Sequence, residues 1–257
     1  MRRRFIGLLG SAALILATSS PALAIVYGEI DSDNTYANTG ALIAQFDEGK
    51  FVICSGTLIS STVFLTAAHC VRDGATMWVS FDQAIEEPVT ETTNTIHSGT
   101  AHAHPNFACC GANDTFDIAV VVLNAPVGIE PADLPELDAL GQMSNQELRS
   151  AEFVAAGYGT VRETKKGAFQ PLFWDPQRRF AEQSVYSLTK AWLTLSMNQA
   201  TGDGGTCYGD SGGPHFLGDT VMSITVTGDV WCKATDKTYR VDTPVARDFL
   251  ADFVTLP

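Results

Sequence analysis

The chain has 257 residues, 45% of them hydrophobic, which is enough apolar material for one large domain or two small ones. Its formal charge of −13 repels phosphate backbones and excludes a nucleic-acid partner. Charge on this scale serves solubility first, whatever cationic ligands it also attracts.

The first residues, Met1-Arg2-Arg3-Arg4, lead into an apolar run from Phe5 to Ala17 and then Ala22-Leu23-Ala24. A basic start, a short apolar middle and small residues at a cut site form a secretory leader, residues 1–24. The run is too short to span a bilayer. The arginines also resemble a twin-arginine signal, so the export route stays open. Cleavage takes the charge from −13 to −16 and leaves residues 25–257 as a secreted or extracytoplasmic product with no membrane attachment. In that oxidising setting six cysteines read as disulfides.

From Ile25 onward, short apolar segments alternate with Gly, Asn, Asp, Thr and Pro. Residues 40–46, 51–54, 62–65 and 77–81 have strand length and β-rich content, and 117–123 is an apolar run suited to a buried strand. From Pro126 to Ser150 the composition turns to Pro, Glu, Asp, Leu and Gln without periodicity, which marks a connection between two halves, 25–130 and 131–257. Strand-like segments resume at 152–156, 192–197, 215–217, 221–226 and 238–241. Residues 244–254 space their apolar side chains at helical intervals behind Pro244. Many short strands and one terminal helix predict an all-β protein of two closed barrels.

The stretch that carries chemistry is Gly209-Asp210-Ser211-Gly212-Gly213-Pro214. Glycines allow backbone N–H groups to approach a ligand, so the amides of Gly209 and Ser211 are candidates to hold an oxyanion. A serine hydroxyl needs a base to become a nucleophile. Upstream lie Thr66-Ala67-Ala68-His69-Cys70 and Asp117-Ile118-Ala119-Val120. An aspartate opening an apolar strand needs a partner, and an imidazole N–H supplies one while fixing the tautomer. Gly209-x-Ser211-x-Gly213 also fits the nucleophile elbow of α/β-hydrolases, but that fold needs the order serine, acid, histidine. The only histidine after Ser211 is His215, four residues on, so the esterase reading fails.

With Ile25-Val26 at the expected cleavage point, these segments in this order resemble the chymotrypsin-like (trypsin superfamily) serine peptidases of the secreted, bacterial type. The resemblance extends over residues 25–257. It implies two six-stranded antiparallel β-barrels packed face to face with a C-terminal helix, and a monomeric endopeptidase acting on protein or peptide substrates without cofactor or metal. It makes Ser211 the nucleophile, His69 the general base and acid, Asp117 the residue that orients His69, and Gly209 and Ser211 the oxyanion hole. Cys54–Cys70 and Cys207–Cys232 match family disulfides, and Ser223 matches a serine that bonds the triad aspartate. Gly157-Tyr158-Gly159 is similar to the family's Gly-Trp-Gly turn, and Cys54-Ser55-Gly56-Thr57-Leu58-Ile59 to its Cys-Gly-Gly-Ser-Leu-Ile segment. It further implies that a new Ile25 amine pairs with Asp210. Here Ala24 precedes Ile25, so leader cleavage itself is expected to create that amine.

For the substrate pocket the resemblance points to Gly205, Thr206, Tyr208, Ser223, Ile224, Thr225 and Lys237. Gly205 stands where the trypsin branch has its aspartate, so the arginine/lysine signature is absent. Thr225 narrows the entrance, and either Lys237 or, with a gap, Asp236 stands on the wall. Lysine there favours an acidic side chain before the cleaved bond, aspartate a basic one. Cys109 and Cys110 remain, as a vicinal bridge, free thiols or an interchain link, with the bridge favoured. His102-Ala103-His104 beside them invites zinc but lacks a clear fourth ligand. Glu86-Glu87 lies where some relatives bind calcium, without a clear ligand pattern. A rival reading is a non-catalytic binding or adhesion protein on the same fold, its cleft obstructed by Ile224, Thr225 and the loop before Cys232.

Overall fold

The computed structural model describes residues 25–109, 113–162 and 172–257. The leader and Cys110 lie outside the described residues, and with them the expected cleavage signal and the Cys109–Cys110 ring. After a two-residue strand, β1 (Glu29–Ile30), six strands form the first barrel: β2 (Thr39–Phe46), β3 (Gly49–Ser60), β4 (Val63–Thr66), β5 (Thr76–Ser80), β6 (His97–Ala103) and β7 (Ala119–Leu123). They close in the order β2-β3-β4-β7-β6-β5, every pair antiparallel. Leu42, Leu58, Phe64, Val79 and Val121 fill the interior, while Leu65 and Val120 lie buried on the opposite face of their strands. β6 is a strand with little aliphatic content. Its inward residues are Gly99 and Ala101, and a Cβ on Gly99 would lie 2.5 Å from the Val122 carbonyl oxygen, so only a small residue closes the barrel there.

The second barrel is built from β8 (Glu152–Gly157), β9 (Arg179–Leu188), β10 (Trp192–Ser196), β11 (Pro214–Leu217), β12 (Thr220–Gly228) and β13 (Thr235–Arg240). They run β9-β10-β13-β12-β11-β8 and close through β8–β9, with β1 added at β9. β9 also escapes a hydrophobic pattern, because its buried residues are Arg179, Ala181 and Gln183. The connection between the barrels is not wholly irregular. It carries α1 (Ala139–Gln142) and α2 (Asn145–Ser150), the second started by a capping box in which Ser144 and Glu147 satisfy each other's backbone N–H.

The terminal helix, α3 (Pro244–Leu250), starts at Thr243, whose hydroxyl accepts from Ala246 N–H, with Pro244 in its first turn. It stops four residues short of the expected Val254. The Phe249 and Phe253 rings lie 5.3 and 5.4 Å from the rings of His104 and His102. The barrels are also clasped by Arg178, a fully buried cation. It donates to Asp31 Oδ2 at 2.8 Å, to the Phe81 carbonyl at 2.9 Å and to the Tyr158 hydroxyl at 3.2 Å. Tyrosine rather than tryptophan in Gly157-Tyr158-Gly159 thus supplies an oxygen that this guanidinium uses.

Candidate active site

The three motif segments meet at the seam between the barrels. β4 delivers the chain into a short 3₁₀ turn, Ala68–Cys70, which the Cys54–Cys70 disulfide ties back to β3. Asp117, 3% exposed, sits just ahead of β7 and accepts two hydrogen bonds from one residue. His69 N–H reaches its Oδ1 at 2.9 Å and His69 Nδ1 its Oδ2 at 2.7 Å. With Nδ1 committed as donor, Nε2 is the basic nitrogen and points the other way.

Ser211 arrives from the second barrel. Its carbonyl accepts from Ser55 N–H at 2.9 Å, which fastens it to β3. Gly212, at φ +77°, passes so close to the His69 loop that a Cβ would stand 2.1 Å from Thr66 Oγ1 and 2.6 Å from Ala67 N. That approach brings the Ser211 loop against the His69 loop across the seam, with no hydrogen bond between the Ser211 and His69 side chains. Such contacts tighten when substrate binds.

The Tyr208–Gly209 loop is held by its carbonyls. Thr160 N–H donates to the Tyr208 carbonyl at 2.7 Å, and Ser55 Oγ donates to the Gly209 carbonyl at 3.0 Å. In a planar trans peptide the C=O and N–H point in opposite directions, so pinning the Tyr208 carbonyl turns Gly209 N–H away from Thr160, toward the cleft. Gly209 holds φ at +98°, a conformation glycine adopts without strain. Among the described residues neither Gly209 N–H nor Ser211 N–H donates to any group. Two unengaged backbone N–H groups flanking the hydroxyl of a serine are of the kind that can hold a developing oxyanion. Ser55 and Thr160 were not foreseen as contributors; Ser55 stands in the Cys54–Ile59 segment where the matching family residue is glycine.

Asp210 is fully buried and accepts from Gly159 N–H at 2.7 Å and Cys207 N–H at 2.9 Å. Any Cβ on Gly157 or Gly159 would lie within 2.4 Å of its carboxylate, which accounts for both glycines of that turn. Burial pushes its pKa up to about 7, against the two backbone hydrogen bonds. Among the described residues no cation lies within ion-pair distance of it. The Ile25 side chain is buried against Ala155 and Ala181, and Val26 pairs with Gly205. In the uncut chain the nitrogen of Ile25 is an uncharged amide, so the expected ion pair does not exist in this form.

A cavity of about 360 Å³ opens beside Ser211, lined by Thr206, Tyr208, Thr225, Val226, Thr227 and Gly228 together with the Cys207–Cys232 disulfide. Four residues expected to line it, Ser223, Ile224, Gly205 and Lys237, do not. The strand beside the Ser211 loop is set by Gly212 N–H to the Thr225 carbonyl and Thr225 N–H to the Gly213 carbonyl, so the wall begins at Thr225. Ile224 is buried in the core, and Ser223 Oγ lies 2.7 Å from Thr238 Oγ1 rather than bonding Asp117. Gly205 does not form the floor, because Gln183 and Met197 pack against its Cα. Lys237 is turned away from the cavity, its ammonium 4.2 Å from the Trp192 ring centroid and bonded to Asn113. Of the residues that the binding-protein reading has obstructing the cleft, Ile224 lies outside the cavity and Thr225 lines it without filling it.

Behind Thr206 lies a closed polar group. Asp236 is fully buried, with Gln183 Nε2 at 3.3 Å and His215 Nε2 at 3.4 Å, and His215 Nε2 is also 2.9 Å from Thr225 Oγ1. Burial raises Asp236 to about 7, with hydrogen bonds from Thr206 and Gln183 opposing it, and lowers His215 to about 3. The imidazole is therefore neutral, and its contact with Asp236 is not an ion pair.

The remaining motifs have structural uses. His102 packs at a tilt against Phe253, and His104 against Phe249 and Phe116. Glu87 spends one oxygen on Val52 N–H and the other on Trp174 Nε1. Among the described residues the grouping Cys54, His69 and Cys70 is close enough for a metal, but its two sulfurs are already joined to each other.

The Trypsin family model matches residues 30–251 of the chain. Among curated proteins the chain is similar to kallikrein 1-related peptidase b21 of Mus musculus, at 24% identity over 211 residues covering 74% of this chain and 75% of that protein. It is also similar to human kallikrein-12, at 25% identity over 189 residues, 71% of this chain and 72% of the kallikrein. A solved structure described as HL collagenase superimposes with a TM-score of 0.65 at 17% identity, covering 88% of this chain and 97% of the other.

Proposed function

From the premise that the chain belongs to the trypsin family and is a serine endopeptidase, we propose that Ser211, His69 and Asp117 hydrolyse peptide bonds through an acyl-enzyme. The observation that carries this reading is the double hydrogen bond from His69 to buried Asp117, which leaves Nε2 as the base beside Ser211. Nε2 takes the Ser211 proton as Oγ attacks the substrate carbonyl, and the Gly209 and Ser211 N–H groups hold the resulting oxyanion. Collapse expels the amine, which leaves with the proton from His69. Water then attacks the ester, giving its proton to His69, and the second collapse returns that proton to Ser211 Oγ and frees the acid.

The product acts outside the cytoplasm after loss of residues 1–24. The cut supplies an Ile25 amine, and Asp210 is a buried carboxylate with no cation within ion-pair distance among the described residues, so in this reading cleavage of the leader and assembly of the Asp210 pair are one event. N-terminal sequencing of the secreted protein is expected to begin at Ile25. Activity is expected to fall above about pH 8 as that amine loses its proton, and Asp210→Asn to be inactive at every pH. A mature chain starting elsewhere, or an active Asp210→Asn variant, overturns the pairing.

The cavity presents hydroxyl and apolar groups, and its one acidic lining residue, Asp229, is turned to its own loop. Its carboxylate accepts the N–H groups of Trp231, Lys233, Ala234 and Thr235. This favours an uncharged residue before the cleaved bond. Digestion of a peptide library, read by mass spectrometry, tests both statements. Ser211→Ala and His69→Ala are each expected to lose on the order of 10⁴- to 10⁶-fold in kcat. Cleavage that survives either variant defeats the mechanism.

A further inference from the structure

Trp174 is used by none of the chemistry above, yet it touches the oxyanion loop. Its indole lies against Gly209, where a Cβ would meet Cζ3 at 2.7 Å and Cη2 at 3.1 Å. The ring is anchored at its other end. Nε1–H donates to Glu87 Oε2 at 2.6 Å, while Oε1 of the same carboxylate accepts Val52 N–H of β3 at 2.7 Å. The backbone around Trp174 is braced on both sides. Val161 and Phe173 exchange hydrogen bonds at 2.9 and 3.1 Å, and Ile85 N–H and the Gln83 carbonyl bond to the Pro176 carbonyl and Arg178 N–H at 2.9 and 2.6 Å. A ring so fixed leaves Gly209 little room to rotate its peptide away from the cleft.

We propose that Trp174 is a positioning residue for the oxyanion hole, and that Glu87 makes it one by tying the indole to the first barrel. Thr160 sets the direction of the Tyr208–Gly209 peptide, and Trp174 blocks the outward path on the far face of Gly209. The strut thus runs from β3 through Glu87 and Trp174 to the donor amide. Glu87 serves here as a hydrogen-bond acceptor with both oxygens engaged, in place of the calcium role its neighbourhood suggested. The proposal rests on the reading of Gly209 as an oxyanion donor.

The test uses the mature protein and the variants Trp174→Ala, Trp174→Phe and Glu87→Gln. A saturating fluorophosphonate titration separates the rate of Ser211 acylation from the affinity that precedes it. Removal of one oxyanion donor costs on the order of 10²- to 10³-fold, and loosening it costs less. Trp174→Ala is expected to slow acylation about 10- to 100-fold with affinity changed less than about 2-fold. Trp174→Phe keeps a ring on Gly209 and is expected to stay within about 3-fold of the parent. Glu87→Gln keeps the volume but has a single acceptor oxygen where Glu87 uses one for each N–H, and falls between. Amide hydrogen exchange over residues 207–212 gives a second readout that needs no turnover and rises in Trp174→Ala and Glu87→Gln. Acylation and exchange both unchanged in Trp174→Ala overturn the strut, as does a loss wholly in affinity or a Trp174→Phe variant as slow as Trp174→Ala. An unreactive parent protein counts against the Ser211 chemistry instead, and the exchange data then decide the strut alone.

Discussion

Around Phe64 the first barrel is filled by aliphatic and aromatic side chains, with the ring wedged between Gly40 and Gly56. Behind the Ser211 cavity the second barrel holds Asp210, Asp236, His215, Gln183 and Thr206, all buried. Asp236 Oδ1, His215 Nδ1 and Gln183 Oε1 have no hydrogen-bond partner among the described residues. The same closed architecture therefore has two interiors. The first is a rigid mount for the His69 turn and Asp117, stabilised by burial of apolar area. The second gives up part of that stabilisation to place carboxylates beneath the loop that carries Ser211, and buried carboxylates make it sensitive to protons.

The largest effect expected from this contrast is in the apolar interior. Phe64→Ala removes a fully buried ring that the two flanking glycines cannot replace, at a cost of about 3–5 kcal/mol. That is a fall in Tm of roughly 6–20 °C for a chain of this size. The ring carries no charge, so calorimetry is expected to give the same fall at pH 5 and pH 8. A strong pH dependence breaks the division between the two interiors.

A smaller and differently shaped effect is expected at Asp236. Its folded pKa, about 7, lies above the ordinary carboxylate value of 3.8, so the folded state binds more protons between those values. Stability therefore falls as pH rises from about 4 to about 7 and stays at the lower level above. Asp236→Asn is neutral at every pH. It is expected to match the parent below about pH 4 and to gain progressively from there to about pH 7, by roughly a few kcal/mol at pH 8, read as a rise in Tm. A variant less stable than the parent at pH 8 shows that the charge is compensated in the folded protein and removes Asp236 from the polar side of the comparison.

The same contrast governs what the sequence reveals. The aliphatic strands β2, β3, β4, β5 and β7 announce themselves because their inward faces are hydrophobic. β6 and β9 do not, since Gly99 and Ala101 fit a crowded closure and Arg179 and Gln183 face a polar interior. α2 had a readable start in Ser144-x-x-Glu147, but its six residues are too few for a periodic face. His69, Asp117 and Ser211 are legible because each lies in a short local motif. The pocket wall is not, because its register depends on irregular pairing within β12, where the partner of β13 shifts between Thr225 and Thr227. Counting back from Tyr239 to put Lys237 on the wall misses a shift that only the tertiary pairing reveals. Trp174 was unreadable for a related reason: its partners, Glu87 and Gly209, are distant in sequence on both sides.

The smallest expected effect concerns Lys237, and its smallness is the point. Had this side chain stood on the wall, the charge reversal Lys237→Glu would change the preference between acidic and basic residues before the cleaved bond by well over 10-fold, since a unit charge a few ångströms from another in a sheltered pocket is worth more than about 1.4 kcal/mol. Its ammonium instead lies over Trp192 and bonds Asn113, outside the cavity beside Ser211. A charge turned to solvent-facing surface is screened over about 8–10 Å of salt solution. Lys237→Glu is therefore expected to leave the ranking of cleaved residues unchanged, with kcat/KM ratios between acidic and basic peptides moving less than about 3-fold. Loss of the cation–ring contact costs about 0.5–1 kcal/mol of stability, which a Tm measurement separates from selectivity. A large switch in preference places Lys237 back on the pocket wall, where the sequence reading expects it.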